Sequence, residues 1–217
     1  TLRSNLNVCV QNSAQVGCMA SRREKKREQR EKLILKTAAD LISAHGFSHI
    51  NMDMLADEVG ISKTTLYQHF SNKEDVVLNV LHRSFNNVEA FMRDLPDDSR
   101  AIDRIEAMMR YMMQSGYGAD GFPLGMVRDD VVHAFVHDAE VNQRFRLIAQ
   151  QLFRHIDEAK ADGDIDAELP PDLVISALMT LIGMADSGKV WPMTHRHDAI
   201  IDHAVRIFRH GVAPNSQ

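Results

Sequence analysis

The chain has 217 residues, of which 44% are hydrophobic and 25% charged, and its formal net charge is −5 at pH 7. This composition is typical of a soluble globular protein, and no apolar run approaches the roughly 18 residues that a membrane span needs. Both cysteines, Cys9 and Cys18, lie near the N-terminus, which excludes cysteine-based zinc or redox chemistry from the rest of the chain. Residues 1–20 lack the apolar centre of a secretory signal, which predicts a cytoplasmic protein.

Basic charge is concentrated in the N-terminal half of the chain. Residues 1–95 carry 13 Lys and Arg against 11 Asp and Glu, a balance of +2, whereas residues 96–217 carry 12 against 19, a balance of −7. Seven basic residues lie within RREKKREQREK, residues 22–32. A basic end on an acidic protein indicates a nucleic-acid-binding arm, although such a run is more often only the solvated face of a helix.

The first residues show no clear hydrophobic period, and MASRREKKR from Met19 reads like a natural start. We therefore expect residues 1–18 to be an upstream extension or an expression remnant, and residues 1–20 to be disordered. Limited proteolysis that left this segment intact would contradict the expectation.

Helical periods recur along the chain without strand-like alternation of any length, which predicts an all-α fold of about nine helices. The first helix is expected over residues 21–45, with its apolar stripe at Ile34, Ala38, Leu41 and Ile42. Two short helices should follow over residues 53–59 and 63–70, separated by Gly60 and capped by Asn51 and Ser62. A fourth helix, capped by Asn72 or Ser71, should run to about Arg93.

The remaining sequence predicts five further helices. The first has Ile102, Ile105, Met109 and Met112 in register, and the others are expected over residues 124–136, 140–161, 170–187 and 194–210. The strongest pattern has Val141, Phe145, Ile148, Leu152 and Ile156 at spacings of three and four. We predict a DNA-binding domain over residues 21–72 and a second helical domain over residues 73–217.

The segment GISKTTLYQHFSNKED, residues 60–75, indicates the function. A helix over residues 63–70 is too short to be stable alone, and only Leu66 and Phe70 in it are large core residues. With the helix before Gly60 it forms a helix-turn-helix, in which two apolar residues hold the second helix while its polar side chains enter the DNA major groove. A polar helical corner without function is the alternative.

The segment NMDMLADEVGISKTTLYQHFSNKED resembles the DNA-binding segment of the TetR (tetracycline-repressor-like) family of bacterial regulators. The resemblance is close over residues 30–80. The matching positions are Ala56, Gly60, Ile61, Ser62, Thr65, Leu66, Tyr67, His69, Phe70, Lys73 and Glu74. Thr64 stands where the family often has Gly, Ala or Pro, and Asn51 where it often has Thr or Ser, which puts the operator sequence in doubt.

The predicted DNA-contacting residues are Asn51, Ser62, Lys63, Thr64, Thr65, Tyr67, Gln68, His69 and Lys73. Lys63, Thr64, Thr65 and Gln68 suit base edges or phosphates. Tyr67, His69 and Lys73 suit phosphate oxygens, as do N–H groups at the capped helix starts.

The resemblance also implies a homodimer that binds a double-stranded operator and responds to a small molecule. The dimer helices would lie near residues 172–187 and 194–210, although intramolecular packing would also explain their apolar stripes. The predicted ligand-binding residues are Met109, Met112, Phe122, Met126, Phe145, Leu152, Met179 and Trp191, with Phe153 a further aromatic candidate. Met-rich surroundings suit an apolar or aromatic effector, and they also simply fill cores.

One alternative function is metal-based. His133 and His137 lie one helical turn apart, and such a pair can chelate a divalent ion. A metal-responsive regulator, or a helical metal-dependent hydrolase, would use this pair, but the Glu of an H-E-x-x-H site is missing. We predict neither a metal nor another cofactor, and no catalytic residue. The main functional prediction is a transcriptional repressor that releases its operator when an effector binds.

Overall fold

The structure is a computed structural model that describes residues 3–96, 98–115, 131, 135, 138–184 and 197–214. These residues form eight α-helices, one short 3-10 helix and no strand, which confirms the all-α prediction. The α-helices are α1 (Arg3–His45), α2 (Met52–Val59), α3 (Lys63–Tyr67), α4 (Lys73–Arg93), α5 (Ala101–Ser115), α6 (Ala139–Ala161), α7 (Pro171–Met184) and α8 (His197–Val212), and the 3-10 helix is Phe47–His49. The helix predicted over residues 124–136 lies mostly outside the described residues; Val131 and Phe135 are helical.

Helix α1 begins at Arg3 instead of residue 21, and the disorder expected of residues 1–20 stays a prediction. Between Arg3 and His45 the sequence has no proline and only one glycine, Gly17. Once a helix is nucleated, each added residue gains a backbone hydrogen bond at little cost. The packed C-terminal half of α1 can therefore propagate helix toward the N-terminus.

Helix α3 is shorter than predicted and ends at Tyr67 instead of residue 70. The N–H of Gln68 donates to the carbonyl oxygens of both Thr64 and Thr65, and the N–H of His69 donates to Leu66 O at 2.9 Å. The bonds from Gln68 to Thr65 and from His69 to Leu66 span three positions and tighten the last turn of the helix. The N–H of Phe70 donates to Leu66 O at 3.0 Å, four positions earlier, so a helix-like turn continues to Phe70.

One contiguous hydrophobic core joins the N-terminal helices to the rest of the molecule. Helix α1 packs against α2 and α4, and α2 packs against α3. Helix α4 belongs to both parts, since it packs against α1 and also against α6. The domain division after residue 72 stays a prediction.

The larger body is formed by α4 to α8. Helix α5 packs against α6, α7 and α8, and α7 packs against α6 and α8. The stripe predicted on α5 is confirmed, because Ile102, Ile105 and Met109 are all buried. No helix within the described ranges combines the length and the apolarity that a membrane crossing requires.

Candidate nucleic-acid interface and ligand cavity

The corner between α2 and α3 depends on Gly60. Its φ of 74° and ψ of 36° lie in the left-handed region, which side chains with a Cβ adopt only at a cost. The N–H of Ile61 then donates to Ala56 O at 3.0 Å, which satisfies a carbonyl at the end of α2. Because the chain reverses within two residues, α3 begins close to α2.

Three polar caps start the helices of this region, as the sequence predicts. Asn51 Oδ1 accepts from the N–H of Met54 at 2.9 Å. Ser62 Oγ accepts from the N–H of Thr65 at 3.1 Å. Of the two candidates for α4, Asn72 is the cap, and its Oδ1 accepts from the N–H of Asp75 at 2.7 Å. Each cap satisfies an N–H that would otherwise lack an intrahelical partner.

Two apolar side chains attach α3 to the core. Leu66 is fully buried and Phe70 nearly so, and both join the cluster that contains Ile34 and Ala38 of α1. A helix of five residues is not stable by itself in water, so these contacts hold it. The opposite face is thereby presented to solvent.

The exposed face of α3 carries Lys63, Thr64, Tyr67 and the adjoining Gln68. Lys63 Nζ lies 2.6 Å from Asp53 Oδ2 of α2, and this hydrogen bond raises the pKa of Lys63 above its ordinary value. Both side chains are more than half exposed, so the ion pair contributes little stability. A DNA phosphate or base acceptor can therefore take the place of the Asp53 carboxylate.

His69 requires a correction, because it does not lie on the exposed face. Its side chain is only 5% exposed, and its Nδ1 lies 3.0 Å from Glu31 Oε1 of α1. The Arg27 Nε donates to the same oxygen at 3.0 Å. His69 thus connects the end of the recognition segment to α1, and its contact with a DNA phosphate stays a prediction.

Replacing Glu31 by Gln is expected to destabilise the protein by about 1 kcal/mol, because His69 loses its charged acceptor. Burial pushes the pKa of Glu31 up, but hydrogen bonds from His69 and Arg27 outweigh it and leave the pKa below its ordinary value of 4.5. The contribution of Glu31 is therefore present above pH 4.5 and lost as the pH falls through the folded-state pKa. Urea unfolding at pH 7 and at pH 3.5 measures both effects. The explanation would be contradicted if the two proteins differed in free energy of unfolding by the same amount at both pH values.

Thr65 and Lys73 also have partners within the protein. Thr65 is half-buried, and its Oγ1 lies 2.8 Å from Ser62 Oγ, which makes it part of the helix cap. Lys73 Nζ donates to Phe47 O at 3.3 Å and lies 4.2 Å from the centre of the Phe47 ring. The predicted direct DNA contacts are therefore best placed at Lys63, Thr64, Tyr67 and Gln68.

The basic run on α1 is exposed over residues 22–30. Part of its charge is balanced within the helix, since Arg27 pairs with Glu31 at 3.0 Å and Lys32 pairs with Glu28 at 2.9 Å. Such exposed pairs at i, i+4 are weak and sensitive to salt. The run therefore remains a surface that a polyanion can approach.

A second candidate site is an apolar cavity of about 350 Å³ between α4, α5, α6 and α7. This volume lies within the range of small-molecule sites. The lining residues are Phe85, Val88, Met92, Met108, Met112, Phe145, Ile148, Ala149, Leu152, Phe153, Asp172, Ile175, Ser176 and Met179.

The cavity contains four of the predicted ligand-binding residues, Met112, Phe145, Leu152 and Met179, and also the further candidate Phe153. Met109 is corrected: it is fully buried in the core and does not line the cavity. Phe122, Met126 and Trp191 lie outside the described residues.

Sequence reasoning missed the wall that α4 contributes, formed by Phe85, Val88 and Met92. Their spacings of three and four residues place them on one face of the helix, which was a usable signal of burial. The same spacing is typical of an ordinary core stripe. Only the packing of α4 against α6 and α5 distinguishes a cavity wall from a filled core.

Aromatic and ionic contacts join α4 to α6 beside the cavity. The rings of Phe85 and Phe145 meet edge to face with centres 5.0 Å apart. Arg144 of α6 lies over the Phe85 ring and binds both carboxylate oxygens of Glu89, at 2.9 and 2.8 Å. Bidentate pairs of this kind fix orientation as well as distance. A ligand that moved Phe85 or Phe145 would therefore act on the contact between α4 and α6.

The histidines of the metal-based alternative, His133 and His137, lie outside the described residues. Among the residues that are described, no group of three or more His, Cys, Asp or Glu side chains is arranged to hold a metal ion.

Known proteins are similar to this chain in two ways, in sequence over the helix-turn-helix region and in overall fold. Residues 34–80 match the sequence model described as bacterial regulatory proteins, tetR family. The HTH-type transcriptional activator FasR of Mycolicibacterium smegmatis is 37% identical over 67 residues, which is 31% of this chain and 31% of FasR. The HTH-type transcriptional regulator SAB2452 of Staphylococcus aureus is 24% identical over 174 residues, or 77% of this chain and 84% of that protein.

The overall fold is also similar to solved structures. The ketosteroid transcriptional regulator KstR2 of Mycobacterium tuberculosis superposes with a TM-score of 0.71 at 17% identity, covering 88% of this chain and 96% of KstR2. A short recognition helix held by two apolar residues, a basic first helix and an all-α body define a helix-turn-helix regulator. Over residues 34–80 the chain is similar to the DNA-binding region of bacterial regulatory proteins of the tetR family. The hydrolase and metal-responsive alternatives have no support in these comparisons.

Proposed function

We propose that this protein binds a double-stranded DNA operator and represses transcription until a small apolar or aromatic effector releases it. The observation that carries the proposal is the exposed polar face of α3, held in place by Leu66 and Phe70. A fold that commits two buried residues to so short a helix presents its opposite face for recognition. Binding to the chromosome implies a cytoplasmic protein.

The residues of the α3 surface have distinct roles in this proposal. Lys63 and Gln68 can donate to acceptors on base edges, and the Thr64 methyl group can contact a thymine methyl. The Tyr67 hydroxyl reaches a phosphate oxygen, which fixes position but carries no sequence information. Asn51 and Ser62 act as helix caps whose first turns face the DNA backbone. Arg22, Arg23, Lys25 and Lys26 extend the electrostatic surface along α1.

The proposed homodimer forms through α7 and α8. Leu173 and Ala177 lie one turn apart on the exposed face of α7, and Leu173 is 54% exposed. On α8, which packs against α7, Ile207 is 56% exposed and Ile200 is half-buried. A second copy would cover this apolar face. Two recognition helices would then meet successive major grooves roughly 34–36 Å apart.

Effector release is explained by helix α4, which carries both the Asn72 cap beside α3 and the cavity wall. Its 21 residues span about 31 Å, so a small rotation at the cavity displaces the DNA-reading end. The name of the fold relative KstR2 includes ketosteroid, a largely apolar ligand class, which fits a cavity lined mainly by Met, Phe and aliphatic side chains. The effector needs only a higher affinity for one of the two dimer geometries.

Binding of the full-length protein to a fluorescent duplex from its gene's own upstream region, with random duplex as control, tests the proposal at several salt concentrations. Tyr67→Phe is expected to weaken binding to both duplexes by the same factor, about tenfold, because it removes one hydrogen bond to phosphate. Gln68→Ala is expected to lower the preference for the upstream duplex about tenfold, because a base contact is lost. Lys63→Met should act as Gln68→Ala does.

Two results would contradict these roles. Equal losses on both duplexes for Gln68→Ala and Lys63→Met would exclude them from base recognition. Weak binding without preference by the unchanged protein to a set of genomic fragments would contradict the regulator proposal itself. If the protein binds its operator specifically but no apolar compound releases it, the proposal of DNA binding stands and the proposal of an effector is overturned.

A further inference from the structure

The polar side chains in the described part of the cavity lining come from one helix, α7. Among the described lining residues, the polar side chains are Asp172 and Ser176, and the others are apolar. These two residues lie four positions apart on α7 and therefore on the same face of the helix. The described part of the lining is thus apolar apart from this polar edge, at which both Asp172 and Ser176 are also exposed to solvent.

That polar edge offers hydrogen-bond acceptors. An ionised carboxylate such as that of Asp172 only accepts hydrogen bonds. The Ser176 hydroxyl donates its hydrogen to Asp172 O at 2.8 Å, so its lone pairs are what remain for a ligand. No basic side chain is present in the described part of the cavity lining. A head group that pairs with this edge must therefore supply the donors.

The charge of this part of the chain favours the same kind of ligand. Residues 96–217 carry a balance of −7, which raises the local concentration of cations and lowers that of anions. Phe145 and Phe153 also belong to the lining, and aromatic rings attract cations through their faces. An anionic head group would meet like charge at Asp172 and no counter-charge among the described lining residues.

We propose that the effector is an amphiphile with an apolar body and a cationic, hydrogen-bond-donating head group such as an amine, and that Asp172 pairs with this head group. The inference rests on the proposed function, because it assigns chemistry to the effector site proposed above. Asp172 also lies in the first turn of α7, where a negative charge complements the helix dipole without any ligand. An experiment has to separate these two roles.

Three ligands with the same eight-carbon chain can separate the two roles of Asp172. They are n-octylamine, n-octanol and n-octanoate, each titrated calorimetrically into the full-length protein at pH 7. We expect octylamine to bind about tenfold more tightly than octanoate, with octanol between them. Asp172→Asn should weaken octylamine binding about fivefold and leave octanol unchanged. Glu168→Gln, the same loss of charge on an exposed residue outside the cavity, should change none of the three affinities.

A cavity-filling variant shows where the ligands bind. Ala149 lines the cavity, and Ala149→Trp should weaken all three ligands together. Octanoate binding as tightly as octylamine, or an octylamine preference that survives Asp172→Asn, would overturn the inference while leaving the effector cavity in place. If none of the three binds, or if Ala149→Trp has no effect on them, the proposed effector site fails together with the inference.

Discussion

Replacing Ile207 by Asp is expected to yield a monomeric protein whose affinity for an operator with two half-sites falls by about 100-fold or more. Ile207 is the most exposed large apolar residue on the described part of α8 and belongs to the proposed dimer face. Burying an unpaired carboxylate against a second copy would cost more than the contact contributes. Once the dimer is lost, each recognition helix binds its half-site alone.

A matched control is available on α6. Leu147 is 54% exposed and lies outside the proposed dimer face, so Leu147→Asp makes the same kind of change at similar exposure. Sedimentation equilibrium and duplex binding should distinguish the two variants, with Leu147→Asp remaining dimeric and fully able to bind. A dimeric Ile207→Asp protein would refute an interface through α8. If both variants become monomers, exposed apolar area in general, not this face, governs association.

Leu66→Ala is expected to lower the free energy of unfolding by about 3 kcal/mol and to abolish specific DNA binding. The Leu66 side chain is fully buried between α3 and the core of the N-terminal helices. Its removal leaves a cavity under a five-residue helix that depends on packing to stay folded. DNA binding should therefore be lost even where most of the protein remains folded.

Urea unfolding followed by circular dichroism, at one fixed protein concentration, measures this effect. Leu147→Ala removes the same atoms from an exposed position and should change the free energy of unfolding by no more than about 0.5 kcal/mol. Near-equal stability of the Leu66→Ala and Leu147→Ala proteins would show that α3 is not held as the structure indicates. Preserved specific binding by Leu66→Ala would place recognition elsewhere in the chain.

Local chemistry explains why the DNA-reading corner was predictable. A glycine with positive φ, and side-chain oxygens at Asn51 and Ser62 that accept from N–H groups three residues later, involve only neighbours in the sequence. Burial of Leu66 and Phe70 follows from the same helical spacing. The end of α3 was not predictable to the residue, because α-helical and tightened turns differ little in local energy.

Contacts between residues far apart in the sequence explain why the surroundings of several predicted site residues could not be foreseen. His69 lies in the recognition segment with other polar residues, and nothing near it in the sequence shows that Glu31, 38 positions earlier, takes its ring. Lys73 is held by Phe47 in the same way, 26 positions away. Met109 and Met112 share one pattern on α5, yet only Met112 faces the cavity. Each of these outcomes depends on how two helices are rotated against one another.

The sequence by itself determined the all-α class, the helix-turn-helix and the caps that start its helices, because these depend on residue type and on spacings within one or two turns. Only the tertiary structure decided which polar residues of the recognition segment stay free, since Glu31 and Phe47 are brought to His69 and Lys73 by packing. It also decided that α4 forms one wall of the cavity and that Asp172 and Ser176 of α7 belong to the same lining. Unfilled space is a property of several helices together, and no single stretch of sequence encodes it.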